Sequence, residues 1–228
     1  MKKVIEARNL TKIFTNGTFK DRVLDNINLT VMEGDFLSIM GPSGSSKSTL
    51  LYLLAGLDTP SEGKILFKDR DINEMNDNEK SKLRRKDMGF VFQFYNLVPN
   101  LTVKENVLMP IVLDKRKISL YEDKFNEIMK IVGLSNKVNL TPRELSGGQQ
   151  QRVAIARALI NEPEVIIADE PIGNLDSKSG TEIMELLQEI NQAHHKTIVQ
   201  VTHSKQSTKY GTREIYLKDG KIAGNLEV

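Results

Sequence analysis

Phe36-Leu37-Ser38-Ile39-Met40-Gly41-Pro42-Ser43-Gly44-Ser45-Ser46-Lys47-Ser48-Thr49 decides the fold. It opens on a short apolar run and passes through a Gly/Ser loop. Leu50, Leu53, Leu54 and Leu57 then recur at the spacing of one helix face. Strand, loop and helix form the setting in which Gly41–Ser48 reads as the phosphate-binding pattern G-x-x-x-x-G-K-[ST]. Glycines let successive backbone N–H groups curl around phosphates, and the positive end of the helix backs them. Lys47 would neutralise the β- and γ-phosphates, and the Ser48 hydroxyl would ligate Mg²⁺. The candidate nucleotide contacts are Gly41, Pro42, Ser43, Gly44, Ser45, Ser46, Lys47, Ser48 and Thr49. The bland alternative, a Ser/Gly turn beside a helix, leaves both flanks and the Lys-Ser pair unexplained.

Ser46 departs from the pattern, which asks for glycine. If that position needs glycine's conformational freedom, a Cβ there strains the backbone or crowds the phosphates and weakens nucleotide binding. If its dihedrals are ordinary, the hydroxyl points away and nothing is lost. The sequence leaves both open.

Two further stretches repeat the rhythm. Val165-Ile166-Ile167-Ala168 is apolar throughout, too short for a helix and typical of a strand buried on both faces, and it ends at Asp169-Glu170. Ile183, Leu186, Leu187 and Ile190 mark the helix that follows. Thr197–Thr202 is β-branched and ends at His203. Three buried strands thus deliver polar residues at their C-terminal ends, where open parallel sheets place ligand sites. Asp169 can hold Mg²⁺ through water, and Glu170 can polarise an attacking water as general base.

Composition bounds the class. The chain has 228 residues and no Cys, with 32 Lys+Arg against 30 Asp+Glu. That length suits one domain with an inserted piece. Lack of cysteine removes disulfides, thiolate zinc sites and cysteine nucleophiles, and fits a reducing compartment. Near-balanced charge argues against a nucleic-acid partner. No stretch approaches the ~18 apolar residues of a membrane helix, and the N-terminus lacks the apolar core of a signal peptide. The expectation is a cytoplasmic protein with no membrane span of its own.

The first ~35 residues, Gly63–Ile72 and the segment around Lys218-Asp219-Gly220 read as short antiparallel strands with turns. Residues 95–160 read as helical. Tyr121, Phe125, Ile128, Met129 and Val132 share a face before Gly133, and a second helix spans Gln149–Ile160. The fold expected is α/β, a P-loop NTPase core with a mainly parallel sheet, an antiparallel β subdomain and an inserted α-helical subdomain. Residues 1–93 and 161–228 would form the core of a single 1–228 domain, with roughly 94–160 helical.

Leu145-Ser146-Gly147-Gly148-Gln149 adds a second pair of glycines before a helix, physically another anion-binding helix N-terminus. With the other motifs in this order, the whole chain resembles the ATP-binding-cassette (ABC) ATPases, whose signature is LSGGQ. The resemblance implies that Gln93 touches Mg²⁺ and senses the transporter, and that His203 contacts the γ-phosphate. Gly173-Asn174-Leu175-Asp176 would be the family's D-loop, with Asp176 among the nucleotide-binding residues, and Phe14 would stack on adenine. It further implies a head-to-tail homodimer. Each ATP would lie between one copy's phosphate loop and the other's Ser146, Gly147, Gly148 and Gln149, and the dimer would drive a separately encoded transmembrane permease from the inner face of the cell membrane. Ile172 and Ser204 replace the family's usual Thr and Asp without removing a group the chemistry requires.

Val91-Phe92-Gln93-Phe94-Tyr95-Asn96-Leu97-Val98-Pro99-Asn100-Leu101-Thr102-Val103-Lys104-Glu105-Asn106-Val107 and Glu170–Asp176 resemble a closer branch. It contains macrolide exporters, lipoprotein-release ATPases and bacitracin-type peptide-resistance ATPases. A Lys-, Asn- and Ile-rich composition favours a low-GC bacterium, and the likeness to this branch, rather than composition, implies a role in antimicrobial-peptide resistance or export. A regulatory or scaffolding subunit, its turnover crippled by Ser46, is the alternative function. A soluble cassette acting on DNA or ribosomes is a third, but the chain has no room for the coiled coils or tandem cassettes such proteins carry. Adjacent His194 and His195 read as solvated rather than metal-binding, Arg84-Arg85-Lys86 as a solvated face, and Met109-Pro110 as a helix end.

Overall fold

A computed structural model describes residues 2–227 of the chain, and the side chains of residues 2–224. Two sheets organise it. The first carries β1 (Lys3–Asn16), β2 (Phe19–Met32), β4 (Glu62–Phe67) and β5 (Arg70–Asp71) in the order β2-β1-β4-β5, with every pairing antiparallel. The second runs β10-β9-β3-β8-β7-β6, from β3 (Phe36–Met40), β6 (Met88–Phe92), β7 (Val165–Asp169), β8 (Thr197–Thr202), β9 (Arg213–Lys218) and β10 (Lys221–Glu227). Its pairings are parallel except at the β9–β10 edge. The α/β class and the mixture of a mainly parallel with an antiparallel sheet agree with the sequence reading.

Strand alternation sends the parallel sheet into two cores. Val165 and Ile167 of β7 join Val199 and Val201 of β8 in packing with α1 (Lys47–Leu54) and the antiparallel sheet. Ile166, Ala168 and Ile198, one residue out of step, pack on the other face with the helices. Those helices are α3 (Val103–Leu113), α4 (Glu122–Ile131), α5 (Gly147–Leu159) and α6 (Ser177–His194). β7, with a core on each face, has no solvent-facing position along Val165–Ala168, hence its unbroken apolar run. Three helices therefore lie between β6 and β7, after the short α2 (Asp77–Lys86) that precedes β6, and α7 (Lys205–Thr208) follows β8.

Several local expectations are corrected. β1 and β2 are 14 residues each, not short. Register shifts around Asn9 and Asn26, both at positive φ, break their alternation and hide their length from a period-2 reading. α1 ends at Leu54, so Leu57 is off the helix and exposed. Gly56, at φ 62, closes it: Leu57 N–H donates to the Tyr52 carbonyl at 2.9 Å and Gly56 N–H to Leu53 at 3.0 Å. Pro110 does not end a helix. α3 continues through it to Leu113, and proline costs only one backbone bond where Val103, Val107, Leu108 and Ile111 anchor the helix in the core.

Arg84-Arg85-Lys86 is not merely a solvated face. Arg84 Nη1 donates to the Gly56 carbonyl at 2.7 Å, while Arg85 and Lys86 lie 3.5 and 3.6 Å from the Asp114 carboxylate at the end of α3. His194 closes α6, and exposed His195 caps it in the left-handed region. The hairpin turn Asp219-Gly220, with φ 49 and 72, is as expected.

Candidate functional site

Register brings the site together. Met40 pairs with Thr202, Val201 with Asp169, and Asp169 with Phe92, so β3, β8, β7 and β6 end level. Each hands its next residues to one edge: Gly41 and the phosphate loop, His203, Glu170, and Gln93.

The phosphate loop is shaped by backbone constraint. A Cβ on Gly41 would fall 2.1 Å from the Leu217 carbonyl oxygen, so no larger residue fits. Gly44 is at φ 79 and Ser46 at φ 65, ψ 26, both left-handed. Ser46 is the N-cap of α1 and its side chain makes no cap bond. The position needs glycine's freedom, and Ser46 holds the strained conformation at about 1 kcal/mol or more. The first N–H groups of α1 have no partner within the helix, as at any helix start. Lys47 is buried, and its Nζ donates to the Gly41 and Pro42 carbonyls at 3.0 Å each.

Facing this loop, Ser48 Oγ donates to Asp169 Oδ1 at 3.0 Å. Tyr52 OH donates to Oδ2 of the same carboxylate at 2.6 Å. Burial, followed by that hydrogen bond, pushes the Tyr52 phenol up to about 12. Tyr52 escaped the sequence reading, although its position four residues after Ser48 puts both on one face of α1. Glu170 sits at φ 46, a left-handed non-glycine residue, and its Oε1 lies 3.0 Å from His203 Nδ1. Strain of this kind persists where the surroundings over-determine a side chain's aim.

Gln93 Nε2 donates to Asn174 Oδ1 at 3.0 Å, and Asn174 Nδ2 returns a bond to the Gln93 carbonyl at 3.1 Å. Its Nε2 being the donor, the Gln93 amide oxygen remains available as an acceptor. The same loop reaches α6, whose N-cap is Asp176. Asp176 Oδ1 accepts from the Lys178 and Ser179 backbone N–H groups at 3.0 Å each. The Ser179 N–H and then its hydroxyl hold this carboxyl below the usual range. Phe14 stands apart on β1, half exposed, with Lys12 Nζ 5.0 Å from its ring centroid.

Leu145–Gln149 differs from expectation in one respect. Gly147 and Gly148 do not precede the helix but form its first turn, with Ser146 as N-cap. Close approach explains both glycines. A Cβ on Gly147 would lie 2.9 Å from the Tyr95 hydroxyl, and one on Gly148 3.2 Å from Ser179 Cβ. α5 packs on α3, α4, α6 and β6, whereas α1 packs on β7 and β8, so the two glycine-bearing helix starts occupy different parts of the chain. Arg157, farther along α5, donates to the carbonyls of Asn96 and Tyr95 at 2.5 and 2.8 Å and so holds the segment after Gln93.

Hard oxygen donors from Ser48 and Asp169, converging on a phosphate loop, suit Mg²⁺ bound with a nucleotide. Among the described residues no group of three or more His, Asp or Glu is placed to hold a metal by itself. A cation carried in on phosphates needs no such cage.

A P-loop sheet, a strand-end carboxylate pair and a second glycine-started helix define a nucleotide-binding cassette. Residues 24–173 match the ABC transporter family model. The chain is 49% identical to the ABC transporter ATP-binding protein MJ1508 of Methanocaldococcus jannaschii, over 96% of this chain and 97% of that one. With MJ0796 of the same organism it shares 46% identity, over 96% and 95%. The structure superposes on the dimeric post-hydrolysis state of the MJ0796 cassette bound to ADP and Pi with TM-score 0.88, at 44% identity and 98% coverage of both chains. Against CbiO1 of Clostridium perfringens, part of the ABC transporter complex CbiONQ, the TM-score is 0.89 at 29% identity, covering 100% of this chain and 89% of that one. The chain belongs to the ABC transporter ATP-binding family.

Proposed function

We propose that the chain is the ATP-hydrolysing motor subunit of a membrane transporter, working as a homodimer on a separately encoded permease. The observation that carries this reading is the pair of contacts at the sheet edge, Ser48 to Asp169 and Glu170 to His203, directly beside Lys47 and the phosphate loop. In it, residues 41–49 cradle the phosphates of ATP, Lys47 exchanges its two carbonyl partners for phosphate oxygens, and Phe14 stacks on adenine. When bound, Mg²⁺ would supply positive charge to offset the charge that develops on the phosphates. Ser48, Asp169 and Gln93 would hold it, while Glu170 takes the proton of the attacking water and His203 keeps Glu170 aimed and reads the γ-phosphate.

One chain offers one phosphate loop, and its own Ser146–Gln149 belongs to another part of the fold. A head-to-tail pair of copies supplies the second helix N-terminus to each ATP, with Asp176 near the junction. The dimeric MJ0796 cassette supports this arrangement. We divide the chain accordingly into an α/β core of 1–93 and 161–228 and a helical signature subdomain of about 94–160.

The permease contact we place at a groove of about 580 Å³ between these two parts, lined by Phe90, Phe92, Met109, Pro110, Leu113 and Arg157. Exposed Phe94, Val112 and Leu113 lie at or beside it, and no described helix is long and apolar enough to cross a membrane. A cytoplasmic position on the inner membrane face and a role in antimicrobial-peptide resistance or export complete the reading. Left-handed Ser46 is the observation favouring the alternative, a nucleotide-dependent scaffold with weakened turnover. Steady-state ATP hydrolysis, compared with Glu170→Gln, separates the two. Phosphate release at least ten-fold above that control is expected, and release no higher than the control leaves the scaffold.

A further inference from the structure

α1 presents two hydroxyls to a single carboxylate. Ser48 and Tyr52 share a helix face and donate to opposite oxygens of Asp169, at 3.0 and 2.6 Å. These are the hydrogen bonds made by the Asp169 side chain among the described residues. The carboxylate torsion of an Asp is broad and roughly two-fold, so an unrestrained Asp169 would turn freely. A carboxylate has about four lone-pair sites, which leaves Oδ1 able to take a further partner while Oδ2 is held. Tyr52 belongs to none of the motifs read in the sequence.

We propose that Tyr52 is the positioning residue for Asp169. Its hydroxyl fixes Oδ2 and so keeps Oδ1 turned toward Ser48 and the space before the phosphate loop, where a divalent cation arrives with ATP. The inference rests on reading this site as one for a metal–nucleotide complex. A purely structural Tyr52 would only fill space beside α1, and phenylalanine would fill it equally well.

Calorimetric ATP binding to the full chain, first in EDTA and then with Mg²⁺ or Mn²⁺, makes the test in wild type and Tyr52→Phe. Metal-free affinity is expected to agree within about two-fold, while the gain on adding metal falls about three- to ten-fold in the variant, the net scale of one ordinary hydrogen bond. In an Asp169→Asn background, Tyr52→Phe is expected to change that gain no further. A wild-type metal gain in Tyr52→Phe, or equal losses with and without metal, overturns the positioning role alone. A wild type whose ATP affinity ignores metal overturns the reading of the site, and this inference with it.

Discussion

The chain starts two helices with glycine-bearing loops, and it finishes them differently. At α5, Ser146 is an ordinary extended N-cap at φ −66, ψ 163. It forms a reciprocal capping box with Gln149, at 3.1 and 3.4 Å. At α1 the N-cap is left-handed Ser46, with no side-chain bond, and Lys47 follows it. One helix start satisfies part of itself, whereas the other is held open under strain. In our account the phosphate loop is the built anion site of each copy, and the LSGGQ segment is the lid that its neighbour closes.

That contrast can be broken from either side. Glu170→Gln should have the largest effect, lowering single-turnover hydrolysis by about 10²–10⁴ while leaving ATP binding intact, as loss of a general base does. Lys47→Ala should weaken ATP about 10–100-fold by equilibrium binding, the range of a charge-assisted bond to phosphate. Removing the cap, Ser146→Ala should destabilise the fold by about 1 kcal/mol, a melting shift of roughly 2–4 °C, with isolated-chain ATP affinity unchanged. Ser46→Gly should act in the opposite direction and least. Relief of the left-handed strain raises stability by about 0.5–1 kcal/mol, and ATP affinity rises about two- to five-fold. Equal ATP affinity in Ser46→Gly and wild type would remove the link between strain and binding.

What the sequence made legible was the residue order along strands and the loops at their ends. Val165–Ala168 announced burial on both faces because each of its alternating sets meets a core. The phosphate loop was legible as spacing, but the dihedrals of Ser46 were not, since residue spacing does not specify the backbone conformation at the start of α1. Tyr52 was hidden for a different reason: its partner is 117 residues away, and only the parallel register of β3, β8 and β7 brings them together. The bulged strands β1 and β2 defeated a period-2 reading, and Pro110 was tolerated inside α3 because tertiary packing outweighed one lost bond.

The central claim is that a phosphate loop and an LSGGQ segment from two copies enclose ATP. Sedimentation equilibrium of the Glu170→Gln chain with Mg²⁺ and excess ATP tests it most directly. The account predicts a species of twice the 25.7 kDa chain mass, returning to one chain mass when ATP is removed or when Ser146 and Gly148 are replaced. A single chain mass with ATP bound at saturation would contradict it.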